Sequence, residues 1–122
     1  QLMIIVDESK MVTRLGTGPL PVEIVPFEAE FSVRWLTRLG CRAELWLDET
    51  GAPFVTDNGN YLARCWFFTD PQDEIAGISN PYALARALAD QPGVVEHGLF
   101  LNLASRVVVA GQEGVRILER EK

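Results

Sequence analysis

Five apolar residues in a row, Leu2-Met3-Ile4-Ile5-Val6, run straight into Asp7-Glu8-Ser9-Lys10. A continuous β-branched run of that length is strand-sized, and its lack of alternation means that neither face is suited to water. Strands of this kind sit in parallel α/β sheets with cover on both sides. Near the other end, Val107-Val108-Val109 and Val115-Arg116-Ile117-Leu118 read as two more strands, turning at Gln112-Glu113-Gly114. Neither end of the chain carries a helical pattern that could cover them.

The stretch between has its own order. Gly16, Gly18, Pro19 and Pro21 are too many breakers for regular structure and mark a junction. Val22-Glu23-Ile24-Val25 reads as a strand stopped by Pro26. Residues 28–39 read as a helix with an apolar stripe at Phe31, Trp35, Leu36 and Leu39, and Gly40 stands where a left-handed C-cap belongs. Residues 42–48 alternate, Ala43, Leu45 and Leu47 against Arg42, Glu44 and Asp48. Trp46 falls on the polar side, which marks it as a subunit-interface residue. After a turn at 49–53, Phe54-Val55-Thr56 and residues 61–67 flank Asn58-Gly59, a pair suited to a type I′ hairpin turn. Residues 69–77 read as a loop. Asn80 caps a second helix with Pro81 at its first position, Leu84, Ala85 and Leu88 on its apolar face, and Gln91-Pro92-Gly93 at its end. Residues 94–103 read as the next strand.

Strand, helix, strand, strand, helix, strand is the split βαβ, or ferredoxin-like, plan. The expected fold is therefore mixed α/β (α+β): a ferredoxin-like domain at 22–103, with 1–21 and 104–122 forming a separate flanking part. At 122 residues the chain is one domain, or one domain with part of another. Its formal charge of −6 argues against a nucleic-acid partner, since phosphate backbones are held by clustered Lys and Arg. No apolar run approaches the roughly 20 residues that span a bilayer. Cys41 and Cys65 form no C-x-x-C pair, and His97 is the one imidazole, too few soft ligands for a tetrahedral zinc site. Two buried, reduced thiols fit a cytoplasmic protein, and the first residues lack the basic leader of a signal peptide.

Five stretches, "IIVDESK", "LGTGPLPVEIVPF", "FVTDNGNY", "PGVVEHGLF" and "VVVAGQEGV", together resemble the second half of ribose-5-phosphate isomerases of the A type, in order and register over nearly the whole chain. The resemblance implies that the flanking strands belong to an incomplete Rossmann-like catalytic domain, interrupted by the small α/β domain. It implies interconversion of ribose 5-phosphate and ribulose 5-phosphate in the pentose phosphate pathway, with no metal or organic cofactor, in a homodimer or tetramer. It also implies that the chain holds no catalytic residue of its own. The family's Asp-Gly-Ala-Asp turn, its Gly-Thr-Gly-Ser-Thr phosphate loop and its glycine-rich stretch leading to the general-base Glu do not occur in this sequence. The start on Gln1 then reads as an N-terminal half removed or carried by another chain, which would be a partner of this one.

Moving a proton between neighbouring sugar carbons requires a carboxylate base and cationic or donor groups where the oxyanion develops. On an acidic protein, local cations must hold the phosphorylated substrate. Lys10 is the substrate contact that the resemblance carries over, with Asp7 as its neighbour. Asp7 has an everyday role open to it as a turn-forming cap, and Glu8 reads as solvent-facing. Turn chemistry accounts for Asp57, Asn58 and Asn60. His97 reads as partly buried or at an interface, and Trp35, Trp46, Tyr61, Trp66 and Phe67 as packing residues. A different class remains open: a non-catalytic ferredoxin-like module for oligomerisation or ligand sensing.

Overall fold

The computed structural model describes residues 1–67 and 77–121. Contacts cluster into two units, Gln1–Thr13 with Phe100–Lys122, and Arg14–Leu99. The first junction thus lies before residues 14–21, which the breaker-rich sequence placed with the flanking part. The reason is pairing: Leu20 and Pro21 already lie in register with Cys65 and Arg64.

The Arg14–Leu99 unit holds strand β2 (Leu20–Ile24), helix α1 (Ala29–Thr37), β3 (Arg42–Leu45), β4 (Tyr61–Trp66), helix α2 (Pro81–Asp90) and β5 (Val94–His97). Every pairing in its sheet is antiparallel and the order is β3-β4-β2-β5. That order puts the first strand of the motif at the centre beside the third, as a split βαβ requires. One sheet face is apolar. Leu20, Val22 and Ile24 alternate inward along β2, and Ala63 and Cys65 lie opposite on β4. Helix α1 packs on β3 and β4, helix α2 on β5. Their buried side chains are Ala29, Ser32 and Leu36 from α1, and Leu84 and Leu88 from α2.

Several local expectations change. The inward stripe of α1 is Ala29-Ser32-Leu36, while Phe31 stays half-exposed. Small residues let the helix approach closely, with Ser32 Oγ only 3.2 Å from the place a Cβ on Gly93 would take, and the aromatic is turned outward. The second expected strand stops at Leu45, and Pro53 and Val55 make single bridges, with Leu47 and Tyr61, rather than a ladder. The Asn-Gly turn is not type I′, which needs positive φ at both central residues. Gly59 alone has it, at 78°, while its N–H reaches the Thr56 carbonyl at 2.9 Å and the Thr56 N–H reaches the Asn60 carbonyl at 2.8 Å. This is a three-residue loop with a glycine bulge. Strand β5 ends at His97, and Asn102 (φ 59°) turns the chain toward β6. Gly40 does take the left-handed conformation after α1, and Asn80 Oδ1 accepts the Ala83 N–H at 3.1 Å to cap α2. The loop expected at 69–77 lies outside the described residues except for Gly77.

The other unit holds β1 (Leu2–Asp7), a 3-10 turn (Glu8–Lys10), β6 (Ala104–Gly111) and β7 (Gly114–Glu119). Strand β1 runs parallel to β6, and β7 returns antiparallel, in the order β1-β6-β7. No helix of this unit covers the sheet among the described residues. Val109 is buried, yet Ile5 is 73% exposed and Val115 67%. Met3, Ile117 and Leu118 are open too, so apolar side chains stand free on both sheet faces.

Candidate functional site

Ligands of open α/β sheets bind just beyond the carboxyl ends of parallel strands. In this chain that place is the end of β1 beside the end of β6. The sequence builds it with a short side-chain cap. Asp7 leaves the strand in an extended conformation, and its Oδ1 accepts the Ser9 N–H at 2.8 Å and the Ser9 hydroxyl. The Met11 N–H closes the turn on the Glu8 carbonyl at 3.1 Å. The Ser9 hydroxyl and N–H, and more weakly the Lys10 ammonium, hold the Asp7 carboxyl below its usual range. Asp7 is therefore the turn's organiser, and it is ionised when it does this.

Lys10 is the last residue of the turn, exposed, and in no salt bridge among the described residues. A cavity of about 530 Å³ opens at this end of the sheet, lined by Glu8, Val109 and the hairpin turn from Gly111 to Arg116. Lys10 is not among its lining residues. The Glu8 side chain lies over Gly111, inside the space that a β-carbon there would need. Glu8, expected to face solvent, is thus exposed but fitted against β6.

The other candidates serve structure. The Glu23 carboxylate, from the centre of the four-stranded sheet, accepts from Thr56 Oγ1 at 2.9 Å, Asn60 Nδ2 at 3.2 Å and Asn58 Nδ2 at 3.5 Å. These donors, Thr56 first, lower its pKa. The polar 57–60 cluster is a brace between a turn and a strand, and Asp57 takes no part in it. His97 Nδ1 accepts the Leu99 N–H at 3.2 Å, holding the bend after β5. On the open face of that sheet the Arg64 guanidinium lies 4.2 Å from the Trp46 ring centre, and Trp46 stacks on Phe54. Cys41 and Cys65 are free and buried, and the neighbouring Cys41 together with burial pushes the Cys65 thiol up, so it stays protonated. Sequence reasoning passed over Glu23 and Gly111. The first gave no signal. The second did: a glycine inside a strand pattern marks a close approach by another group.

A family model for ribose 5-phosphate isomerase A (phosphoriboisomerase A) matches residues 1–114. The chain is 43% identical over its whole length to the ribose-5-phosphate isomerase A of Thermomicrobium roseum, covering 48% of that protein. It is 45% identical to the probable ribose-5-phosphate isomerase 2 of Arabidopsis thaliana, over 96% of this chain and 44% of that one. Among solved structures, ribose 5-phosphate isomerase A from Methanocaldococcus jannaschii superposes with a TM-score of 0.83 at 32% identity, over 97% of this chain and 49% of that one. A D-ribose-5-phosphate isomerase in complex with phospho-erythronic acid gives 0.84 at 32% identity, over 97% and 49%. The chain spans about half the length of the curated relatives it matches.

Proposed function

This chain belongs to the ribose 5-phosphate isomerase A family, and from that premise we propose that the protein it forms part of interconverts ribose 5-phosphate and ribulose 5-phosphate. The conversion moves a proton from C2 to C1 through an enediolate, while the carbonyl passes from C1 to C2. It is redox-neutral within the sugar, so it needs no external electron acceptor. It does need a base beside C2 and positive groups for the enediolate oxygens and the phosphate.

In this reading Lys10 supplies one of those positive groups, donating a charge-assisted hydrogen bond to an anionic oxygen of the sugar phosphate. The observation that carries it is an exposed lysine with no internal salt bridge among the described residues, fixed on an Asp7-capped turn at the carboxyl end of a parallel strand. Phospho-erythronic acid, found with a relative, pairs a phosphate with a carboxylate, and a carboxylate shares the planar charge of an enediolate. The base and the remaining cations are assigned to the part of the family's length that this chain does not span. Segments 1–13 and 100–122 would join that part in a Rossmann-like catalytic domain, which would cover the sheet faces that stand open here.

Cytoplasmic location and self-association belong to the same proposal. Partly exposed Trp46, stacked between Arg64 and Phe54, supports a homo-oligomeric contact on the open face of the four-stranded sheet. A non-catalytic module is the weaker reading, because it gives no account of the β1-β6-β7 sheet or of the capped lysine turn. Two measurements test the isomerase. The coding sequence upstream of Gln1 is expected to contain an Asp-Gly-Ala-Asp turn and a glycine-rich stretch ending in Glu-Lys. The product of that full reading frame is expected to turn over ribose 5-phosphate, and the 122-residue chain alone is not. A start codon immediately before Gln1, or turnover by the short chain, overturns this division of labour.

A further inference from the structure

The open face of the four-stranded sheet carries its charges unevenly. Alternation sends Arg42 of β3, Arg64 of β4 and Glu23 of β2 to that side, since Ala63, Cys65, Val22 and Ile24 point inward. Glu96 of β5 is exposed and stands directly opposite Glu23, where like charges repel. Among the described residues neither glutamate forms a salt bridge, and neither does Arg42 or Arg64. The arginines lie on rings, Arg64 4.2 Å from the centre of Trp46 and Arg42 5.5 Å from that of Trp66. Glu44, across from Arg64, turns its carboxylate to Trp66 Nε1 at 3.3 Å and not to the guanidinium. The donors on Glu23 are the neutral groups of Thr56, Asn58 and Asn60, which leave its charge in place. One half of the face thus holds two cations without a carboxylate, and the other two carboxylates without a cation.

We propose that this face docks a second copy of the chain about a twofold axis that runs along the strands, between β4 and β2. This rests on the reading that the protein self-associates through this sheet, and it adds the orientation and the pairs that hold the two copies. Such an axis lays β4 of one copy over β2 of the other, and β3 over β5. Arg64 is opposite Pro21, two residues from Glu23, so it comes to face the Glu23–Glu96 pair of the second copy. Symmetry repeats the contact on the other side of the axis. Facing sheets pack about 10 Å apart, a gap that an arginine and a glutamate span arm to arm. An axis across the strands would set β4 over β4 and β2 over β2, bringing cation to cation and carboxylate to carboxylate. Trp46, 37% exposed, and Phe54, 39% exposed, give the contact an aromatic centre of the kind that carries binding energy.

The test is charge reversal in the full-length protein, read by sedimentation equilibrium at low salt. Arg64→Glu and Glu96→Arg are each expected to weaken self-association at least about tenfold, because each sets two like-charged contacts across the axis. Mixing the two variants is expected to restore association, since in the mixed pair both contacts are again opposite in charge. The double variant, Arg64→Glu with Glu96→Arg, recovers for the same reason. Misfolding would not be relieved by mixing, so this recovery separates a docking role from a structural one. Glu96 is exposed, and its carboxylate accepts the His97 N–H at 3.1 Å. Should Arg64→Glu fail to fold, Glu96→Arg must still weaken association while melting with the parent. Single variants that associate as the parent does overturn the proposal, as does a mixture or double variant that stays apart. A parent that sediments as a monomer overturns the self-association reading itself, whereas a parent that associates but ignores the reversals overturns only this face and axis.

Discussion

Replacing Lys10 by Ala separates binding from stability. Lys10 is exposed and makes no salt bridge among the described residues, so its removal deletes no ion pair that helps hold the fold. An exposed substitution of this kind changes stability by no more than about 0.5 kcal/mol. A charge-assisted hydrogen bond from its ammonium to the sugar phosphate is worth about 1.5–3 kcal/mol. That range converts to a loss of roughly 10- to 150-fold in kcat/KM. Lys10→Arg retains the charge but replaces a compact ammonium with a planar fork, so recovery is expected to be partial. The assay pairs steady-state kinetics on the full-length protein with a thermal melt of each variant. Unchanged kcat and KM in Lys10→Ala refute the substrate contact. A fall in melting temperature that parallels the kinetic loss refutes the claim that the lysine is structurally idle.

The remaining predictions concern the scaffold. Gly98 has an unexceptional φ, but a β-carbon there would lie 2.8 Å from both Cδ and Cγ of Pro21, a ring that cannot swing aside. Gly98→Ala should therefore cost about 1–3 kcal/mol in urea titration, whereas Gly18→Ala, with open space around it, should be neutral or slightly stabilising. Glu23 titrates below its ordinary value of 4.5 in the folded chain, so its brace contributes above the unfolded-state pKa and is lost as pH falls through the folded one. The stability advantage of the parent over Glu23→Gln should accordingly shrink in denaturation series run from pH 6 down to about 3. Asn80→Ala removes the α2 cap and should cost about 0.5–2 kcal/mol, with Asn80→Ser largely restoring it. Trp46→Glu should dissociate the proposed oligomer in sedimentation velocity, and an unchanged sedimentation coefficient would move that contact elsewhere.

Much of the sheet topology was legible because periodicity reports burial directly. Val22 and Ile24 alternate as a half-covered strand should, and Asn80-Pro81 announces a helix start that any context would use. The face of α1 was not legible, because Phe31 outranks Ser32 in hydrophobicity, yet it is closeness to the sheet that selects the small residue. The turn at Asn58-Gly59 was misread for a related reason. Its local chemistry fits two hairpin geometries, and the reach of Thr56, Asn58 and Asn60 to Glu23, more than 30 residues away, is invisible to a local reading. Lys10 stands apart from these. Nothing in its composition or spacing distinguishes it from any solvated lysine, and its proposed role rests on the resemblance of the surrounding motif.

The parallel ladder of β1 and β6 has a temporal side. Leu2 finds its partner at Ala104, on the far side of the whole four-stranded unit. On a ribosome adding about 5–20 residues per second, β1 would wait roughly 5–20 seconds for that strand to be made. During the interval the greasy backbone of residues 2–6 has an unpaired edge toward β6, while the 14–99 unit can fold behind it. Cellular holdase chaperones are therefore expected to engage the nascent chain at residues 2–6 and to let go once Val109 has emerged.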